Sequence, residues 1–134
     1  MSKDEIEQLL KEAKTIAVVG LSTDPSRASH RVARYLKECG YKIIPVNPTI
    51  SECLGEKAYG SLRDIPERVD IVDVFRRSEE VPPIADDAVA IKARCLWMQE
   101  GIENKPAAKT AEKAGLKVVM DRCLMMEHVR CKNL

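Results

Sequence analysis

Short apolar runs alternate with amphipathic segments along the whole chain. The runs cover residues 15–20, 41–46, 69–75, 94–98 and 116–120, and most are rich in β-branched residues. Continuous apolar runs of this length are typical of strands buried on both faces of a parallel sheet. The pattern therefore predicts five such strands.

The segments between the runs carry apolar residues at helical spacing. Ser2-Lys3-Asp4-Glu5 forms a capping box that opens a helix over about 3–13. We expect Ser29 to cap a helix that Gly40 closes, and Asn104 to cap one that Gly115 closes. Two further helices are predicted, one opened by Ser78 and the prolines at 82–83 and a short one over 124–129. Residues 49–68 are predicted to be irregular, apart from one short turn that Ser61 caps.

Strands that alternate with helices in this way predict an α/β fold with right-handed crossovers. We expect a Rossmann-like, doubly wound, five-stranded parallel sheet in a single domain over residues 1–134. Such sheets bind ligands at the carboxyl ends of their strands, near the switch in strand order. The five strand ends are therefore where candidate chemistry is sought.

Composition and charge narrow the classes of partner. The chain has 134 residues, with 22 Lys and Arg against 21 Asp and Glu. This balance argues against a strongly basic nucleic-acid or membrane-surface protein. No apolar run approaches the roughly 20 residues of a membrane span, and the acidic start does not resemble a signal peptide. Five cysteines without a C-x-x-C pair fit reduced thiols in the cytoplasm.

The loop after the first strand, Gly20 to Ser29, favours phosphate binding. A glycine at a strand end lets backbone N–H groups approach a phosphate, and a following helix start adds further donors. Arg27 suits a two-pronged phosphate contact, and Ser22 adds a hydroxyl. The loop is neither G-x-G-x-x-G nor a P-loop, and Pro25 stiffens it. The alternative is a tight turn before a capped helix.

The next two strand ends discriminate among nucleotides. Val46-Asn47-Pro48 lacks the acidic residue that an NAD-binding domain uses for the ribose hydroxyls, but it offers an amide and a flat ring. Alternatively, it is only an Asn-Pro turn. Phe75-Arg76-Arg77 supplies two cations, of which one is expected to face the cleft and the other solvent. The alternative is a solvated charged surface.

The fourth strand end, Trp97 to Ile102, offers polar and apolar groups. Gln99 and the turn at Gly101 present an amide and free backbone N–H groups. Trp97 and Met98 either line a channel for a slender ligand arm or belong to the core.

These strand ends, in order, resemble the CoA-binding domain family over about residues 10–130. The segments that carry the resemblance are 20–27, 40–48, 59–66, 69–77, 97–102 and 118–123. It implies that Gly20, Leu21, Ser22 and Arg27 hold phosphates and that Val46, Asn47 and Pro48 border the adenosine. It also implies that Phe75 and Arg76 line the cleft and that Gln99, Gly101 and Ile102 guide the pantetheine arm. Glu100 departs from the small or apolar residue expected beside them.

The resemblance implies coenzyme A or an acyl-CoA as ligand, and no catalytic residue is assigned. His30 is expected to line the cleft at a helix start, while Cys123 could meet the CoA thiol. The spacing of Cys123, His128 and Cys131 matches no familiar zinc motif, so no metal site is predicted. The alternatives are a small NAD(P)- or nucleotide-dependent enzyme and a CoA-binding subunit that works with an acyl-CoA ligase partner. A homodimer is also left open.

Overall fold

Five parallel strands form the central sheet of the computed structural model, which describes residues 1–132. Their order is β2-β1-β3-β4-β5, which confirms the predicted doubly wound parallel sheet. Each observed strand is shorter than the apolar run that predicted it. The strands are β1 (Thr15–Val19), β2 (Lys42–Val46), β3 (Ile71–Val74), β4 (Cys95–Met98) and β5 (Lys117–Val119).

Helices cover both faces of the sheet. One face packs against α3 (Val81–Ala90) and α4 (Lys105–Lys113). The other packs against α1 (Lys3–Glu12), α2 (Ala28–Glu38) and α5 (Leu124–Lys132). The predicted capping box is present at Ser2 and Glu5, and Asn104 caps α4 as expected. None of the helices within residues 1–132 is long and apolar enough to cross a bilayer.

Two local predictions were wrong. Ser29 does not cap α2, because the helix already begins at Ala28. Arg27 occupies the capping position without a side-chain hydrogen bond. Residues 49–68 are not wholly irregular, since Glu52–Cys53 pairs antiparallel with Glu56–Lys57. Ser61 does cap the short 3-10 turn that follows, as its sequence position predicts.

β1 lies at the point where the strand order reverses. It pairs with β2 on one side and with β3 on the other. Because the connections from β1 and β3 leave toward opposite faces of the sheet, their carboxyl ends border a crevice. The fold therefore places the loops after Val19 and Val74 next to each other.

A carboxyl group is fully buried in the middle of this sheet. Asp73 lies on β3 between Val18 of β1 and Trp97 of β4, and neither of its oxygens has a hydrogen-bond partner among the described residues. Burial raises the pKa of Asp73 well above its usual value. Burial, together with the nearby Asp73, also raises the pKa of the Cys95 thiol to about 12. Asp73 therefore destabilises the fold whenever it must ionise.

Asp73→Asn should remove a pH-dependent loss of stability. The unfolded chain releases the Asp73 proton above pH about 4, whereas the folded chain retains it. The free energy of unfolding should therefore fall by up to about 1.4 kcal/mol per pH unit in that window. Urea unfolding at pH 5 and pH 8 should show a gain for the Asn variant that grows with pH. The exposed Asp86→Asn is the matched control, and a loss of stability in Asp73→Asn at both pH values would contradict this account.

Candidate functional site

The carboxyl ends of β1 and β3 approach each other at Gly20. A Cβ atom at this position would lie 2.4 Å from the Phe75 carbonyl oxygen, and the backbone φ is +87°. The Gly20 N–H donates to the Val46 carbonyl over 2.8 Å, and the Phe75 N–H donates to the Val19 carbonyl over 2.8 Å. Only glycine satisfies both the conformation and the spacing. Three strand ends therefore meet around one residue without a side chain.

The loop after β1 is shaped by its own polar groups. The Ser22 N–H donates to Ser29 Oγ over 3.0 Å, and the Asp24 N–H donates to Ser22 Oγ over 3.0 Å. Asp24 accepts bonds from the Ser26 N–H and hydroxyl, which lower the pKa of its carboxyl. The loop conformation is thus stabilised by hydrogen bonds to the hydroxyls of Ser22, Ser26 and Ser29. Leu21 is fully buried beneath this loop, and Pro25 is exposed on it.

The amino end of α2 opens into a cavity beside Gly20. The capping residue Arg27 makes no side-chain hydrogen bond to this helix, and the first turn has no acidic residue. The Arg27 guanidinium forms no ion pair with any residue of the described range. The free N–H groups and the helix dipole favour an anion at such an end. The cavity, of about 340 Å³, is lined by Gly20, Ser22, Arg27, Ala28, Ser29 and Phe75.

Arg76 borders a second cavity on the other side of β1. This side chain is half-buried and forms no ion pair within residues 1–132, whereas Arg77 is 77% exposed and pairs with Glu80 over 2.9 Å. Arg76 therefore borders this cavity, whereas Arg77 faces solvent. The cavity, of about 190 Å³, is lined by Val19, Val46, Pro48, Gly60, Ser61, Leu62, Arg76, Ile84 and Asp87.

Asn47 serves mainly to hold the turn after β2. Its amide N–H₂ donates to the Leu21 carbonyl over 3.1 Å, and its Oδ1 accepts from the Thr49 N–H and hydroxyl over 2.9 and 2.8 Å. These contacts join the loops after β1 and β2. They favour the interpretation of Asn47 as a turn residue over that of a base-binding amide, while Pro48 beside it stays exposed at the second cavity.

The groups at the end of β4 are mostly occupied within the protein. Gln99 is 4% exposed, and its Oε1 accepts from the Leu124 N–H at the start of α5 over 3.0 Å. The Gly101 N–H donates to Asp121 Oδ1 over 2.7 Å, so the expectation of a free N–H there was wrong. Trp97 is fully buried, as is Met98, so both belong to the core and line no channel.

Gln99, Gly101 and Ile102 line neither cavity at the switch point. Ile102 is half-buried and packs against the core on the face covered by α3 and α4. Glu100 is exposed. The structure therefore brings Gly20, Ser22, Arg27 and Phe75 together and places Val46, Pro48 and Arg76 nearby, but it sets the β4 residues apart from them.

The histidines stand away from these cavities. His30 does not line the cleft, because it is only 8% exposed in the first turn of α2 and its Nδ1 has no partner among the described residues. His128 contacts Tyr35, on α2. Cys123 is half-buried just before α5. Within residues 1–132, no group of three or more His, Cys, Asp or Glu is arranged to hold a metal ion.

Several residues that line the second cavity were not predicted as site residues from the sequence. Gly60 and Ser61 lie in the connection after the short hairpin, and Asp87 lies on α3, where it pairs with Arg63 over 2.6 Å. The only early signal was the position of Gly60 and Ser61 within the motif Tyr59 to Pro66. Asp87 carried no signal, because its place in the cavity depends on how α3 crosses the sheet.

Comparisons with known proteins agree with this architecture. The uncharacterized protein YneT of Bacillus subtilis is 46% identical over 131 residues, which are 98% of this chain and 97% of YneT. A solved Thermus thermophilus structure, cell-free ID.343, is 44% identical with a TM-score of 0.94, covering 98% of this chain and 99% of that one.

A longer relative is a ligase subunit. The α subunit of ADP-forming acetate–CoA ligase II from Pyrococcus furiosus is 46% identical over an alignment of 120 positions. The match covers 81% of this chain and 26% of that subunit. The chain thus spans about a quarter of the subunit's length. The sequence model described as "CoA binding domain" matches residues 14–129. The chain therefore belongs to the CoA binding domain family.

Proposed function

We propose that the chain binds coenzyme A or an acyl-CoA at the carboxyl edge of its sheet. The observation that carries this proposal is a pair of guanidinium groups, those of Arg27 and Arg76. They lie on either side of the close contact between Gly20 and Phe75, and neither has an ion pair in the described range. CoA carries a pyrophosphate and a 3′-phosphate, and arginine suits phosphate geometry. The uncapped start of α2 adds backbone donors to the same region.

The proposed division of the site follows its two cavities. The phosphates would lie at Gly20, Ser22 and Arg27, and the adenosine would lie along Val46 and Pro48, near Arg76. Phe75 lines the first cavity and the neighbouring Arg76 lines the second. The pantetheine arm would run toward Gln99, Gly101 and Ile102, where the amide nitrogen of Gln99 bonds to none of residues 1–132.

A second proposal concerns the partner. The similarity to an acetate–CoA ligase α subunit supports a CoA-binding subunit that works with a ligase partner, and a second copy of this chain is the other proposed protein partner. We also propose a cytoplasmic location, which is supported by cysteines that are all free thiols. A small NAD(P)- or nucleotide-dependent enzyme is the competing function. The absence of a carboxylate at Asn47 disfavours NAD.

Titration calorimetry with CoA, acetyl-CoA, NAD and ATP tests the choice of ligand. We expect CoA to bind in the micromolar range and NAD about tenfold or more weakly, a difference of about 1.4 kcal/mol. The reason is that CoA presents one more phosphate to the two arginines than NAD does. NAD binding as tight as that of CoA would contradict the proposal.

Arg27→Ala should weaken CoA binding by about tenfold to a hundredfold, the range typical of hydrogen bonds to charged groups. The fold should be unaffected, because Arg27 is exposed and its side chain makes no capping hydrogen bond to α2. Arg77→Ala is the matched control, since Arg77 is an exposed arginine of the same sheet edge that is already paired with Glu80. Equal affinity in the Arg27 variant and wild type would remove Arg27 from the site.

The purified chain alone should bind CoA without turnover. Acyl transfer needs a nucleophile or base within hydrogen-bond reach of the reacting atom, and His30 is buried in the core while His128 contacts Tyr35. Assays of CoA-thioester hydrolysis and of ATP consumption should therefore stay at background. Robust turnover that His30→Ala or Cys123→Ser abolishes would make this protein an enzyme.

A further inference from the structure

A histidine at the opposite edge of the sheet is surrounded by phenols and a thiol. The Tyr35 hydroxyl lies 2.8 Å from His128 Nδ1, and Cys39 Sγ lies 4.0 Å from the same nitrogen. The rings of Tyr35 and Tyr41 meet the imidazole edge-on at 5.4 and 5.6 Å. Because α2 runs from the carboxyl edge back to the start of β2, this cluster is remote from Gly20.

The protonation states of the cluster suit a proton acceptor beside a thiol. Burial, and then the nearby Lys132, lowers the pKa of His128, so its imidazole is neutral at pH 7. Burial is the main cause that raises the pKa of both Tyr35 and Tyr41 to about 12, so both phenols stay protonated. Cys39 is exposed, and solvent therefore reaches a thiol that has a neutral imidazole within contact.

Cys39 opens onto a groove with three lysines. The groove, of about 550 Å³, is lined by Cys39, Gly40, Tyr41 and the side chains of Lys11, Lys14 and Lys42, among others. Lys11 pairs with Glu7 over 3.0 Å, and Lys42 pairs with Glu67 over 2.7 Å. Lys14 makes no ion pair within the described range. The groove therefore offers the Lys14 ammonium group, which has no ion pair within residues 1–132, beside the exposed thiol.

We propose that Cys39 is a thiol–disulfide exchange site for small disulfides that carry anionic groups, with His128 as the proton acceptor. This site is separate from the proposed CoA site and does not depend on it. The proposal rests on three observations, which are the Cys39–His128 contact, the exposure of the thiol and the lysine-lined groove. A thiol with an oriented base and an access path is the arrangement that such exchange requires.

The exchange balances without a further reagent. The Tyr35 hydroxyl gives its proton to His128 Nδ1 and takes the proton of the Cys39 thiol as Sγ attacks one sulfur of the disulfide RS–SR. The new Sγ–S bond forms as the old S–S bond breaks, and the leaving thiolate takes the proton from the imidazolium as RSH. Cys39 is oxidised to the mixed disulfide and one RS group is reduced. The Tyr35 hydroxyl, on the same nitrogen, orients the imidazole.

The test measures adduct formation with glutathione disulfide, using peptide mass spectrometry to locate the adduct. All proteins carry Cys131→Ser, so that the neighbouring thiol on α5 cannot displace the adduct. We expect Cys39 to be modified first, and faster in the native protein than in the urea-unfolded chain. His128→Gln should slow the native reaction by about 10- to 100-fold, at or below the lower end of the range for positioned acid–base groups, and leave the unfolded rate unchanged.

Two further variants keep the result interpretable. Tyr35→Phe removes the hydroxyl that passes the proton on but leaves His128 Nδ1 free to take the thiol proton directly. It should therefore slow the reaction less than His128→Gln, which tests the cluster even where the Gln variant folds poorly. Cys123→Ser should leave the rate unchanged. An adduct at Cys123 in place of Cys39, or equal native and unfolded rates at Cys39, would overturn the proposal. Neither outcome bears on CoA binding.

The charge of the groove is tested with a neutral reagent. Lys14→Gln should slow the reaction with glutathione disulfide by about twofold, a size typical of one exposed charge, and leave that with bis(2-hydroxyethyl) disulfide unchanged. Lys109→Gln, an exposed lysine on the other face, is the matched control. Equal slowing with both reagents would overturn the assignment of an anionic substrate class.

Discussion

The close approach of Gly20 to the Phe75 carbonyl is the constraint on which the carboxyl edge depends. Because Gly20 has no Cβ, the backbones at the ends of β1 and β3 can approach each other this closely. Their convergence sets the direction in which the chain enters α2, and thus where the free N–H groups of that helix point. A side chain at position 20 would separate the strand ends and with them Arg27 and Arg76.

Charge is distributed unevenly between this edge and the rest of the surface. Most other arginines are paired, as Arg94 is with Glu12 and Arg122 with Glu127. Exposed pairs of this kind contribute little to stability. An arginine left without a partner therefore costs the fold little, and its guanidinium stays ready for an anion. Asp73 destabilises the fold more than such an arginine does, because it is buried without a hydrogen-bond partner among residues 1–132.

The sequence predicted the regular elements better than the contacts between them. The strands and the caps at Ser2, Ser61 and Asn104 follow from local patterns, which need only neighbouring residues. The prediction that Ser29 caps α2 was wrong because the Ser29 hydroxyl accepts a hydrogen bond from the Ser22 N–H across the loop. Serine near a helix start more often caps the helix. The side chain that occupies the Gly101 N–H comes from Asp121, twenty positions later, and no local pattern carries that information.

Trp97 turns the same packing into an optical property. It is the sole tryptophan, it is fully buried beside Asp73, and its indole N–H donates to the Arg122 carbonyl just before α5 over 2.8 Å. An indole held in this apolar layer emits at shorter wavelength than one in water. Its fluorescence therefore reports both on the packing of the central strands and on the position of α5 against them, without an added label.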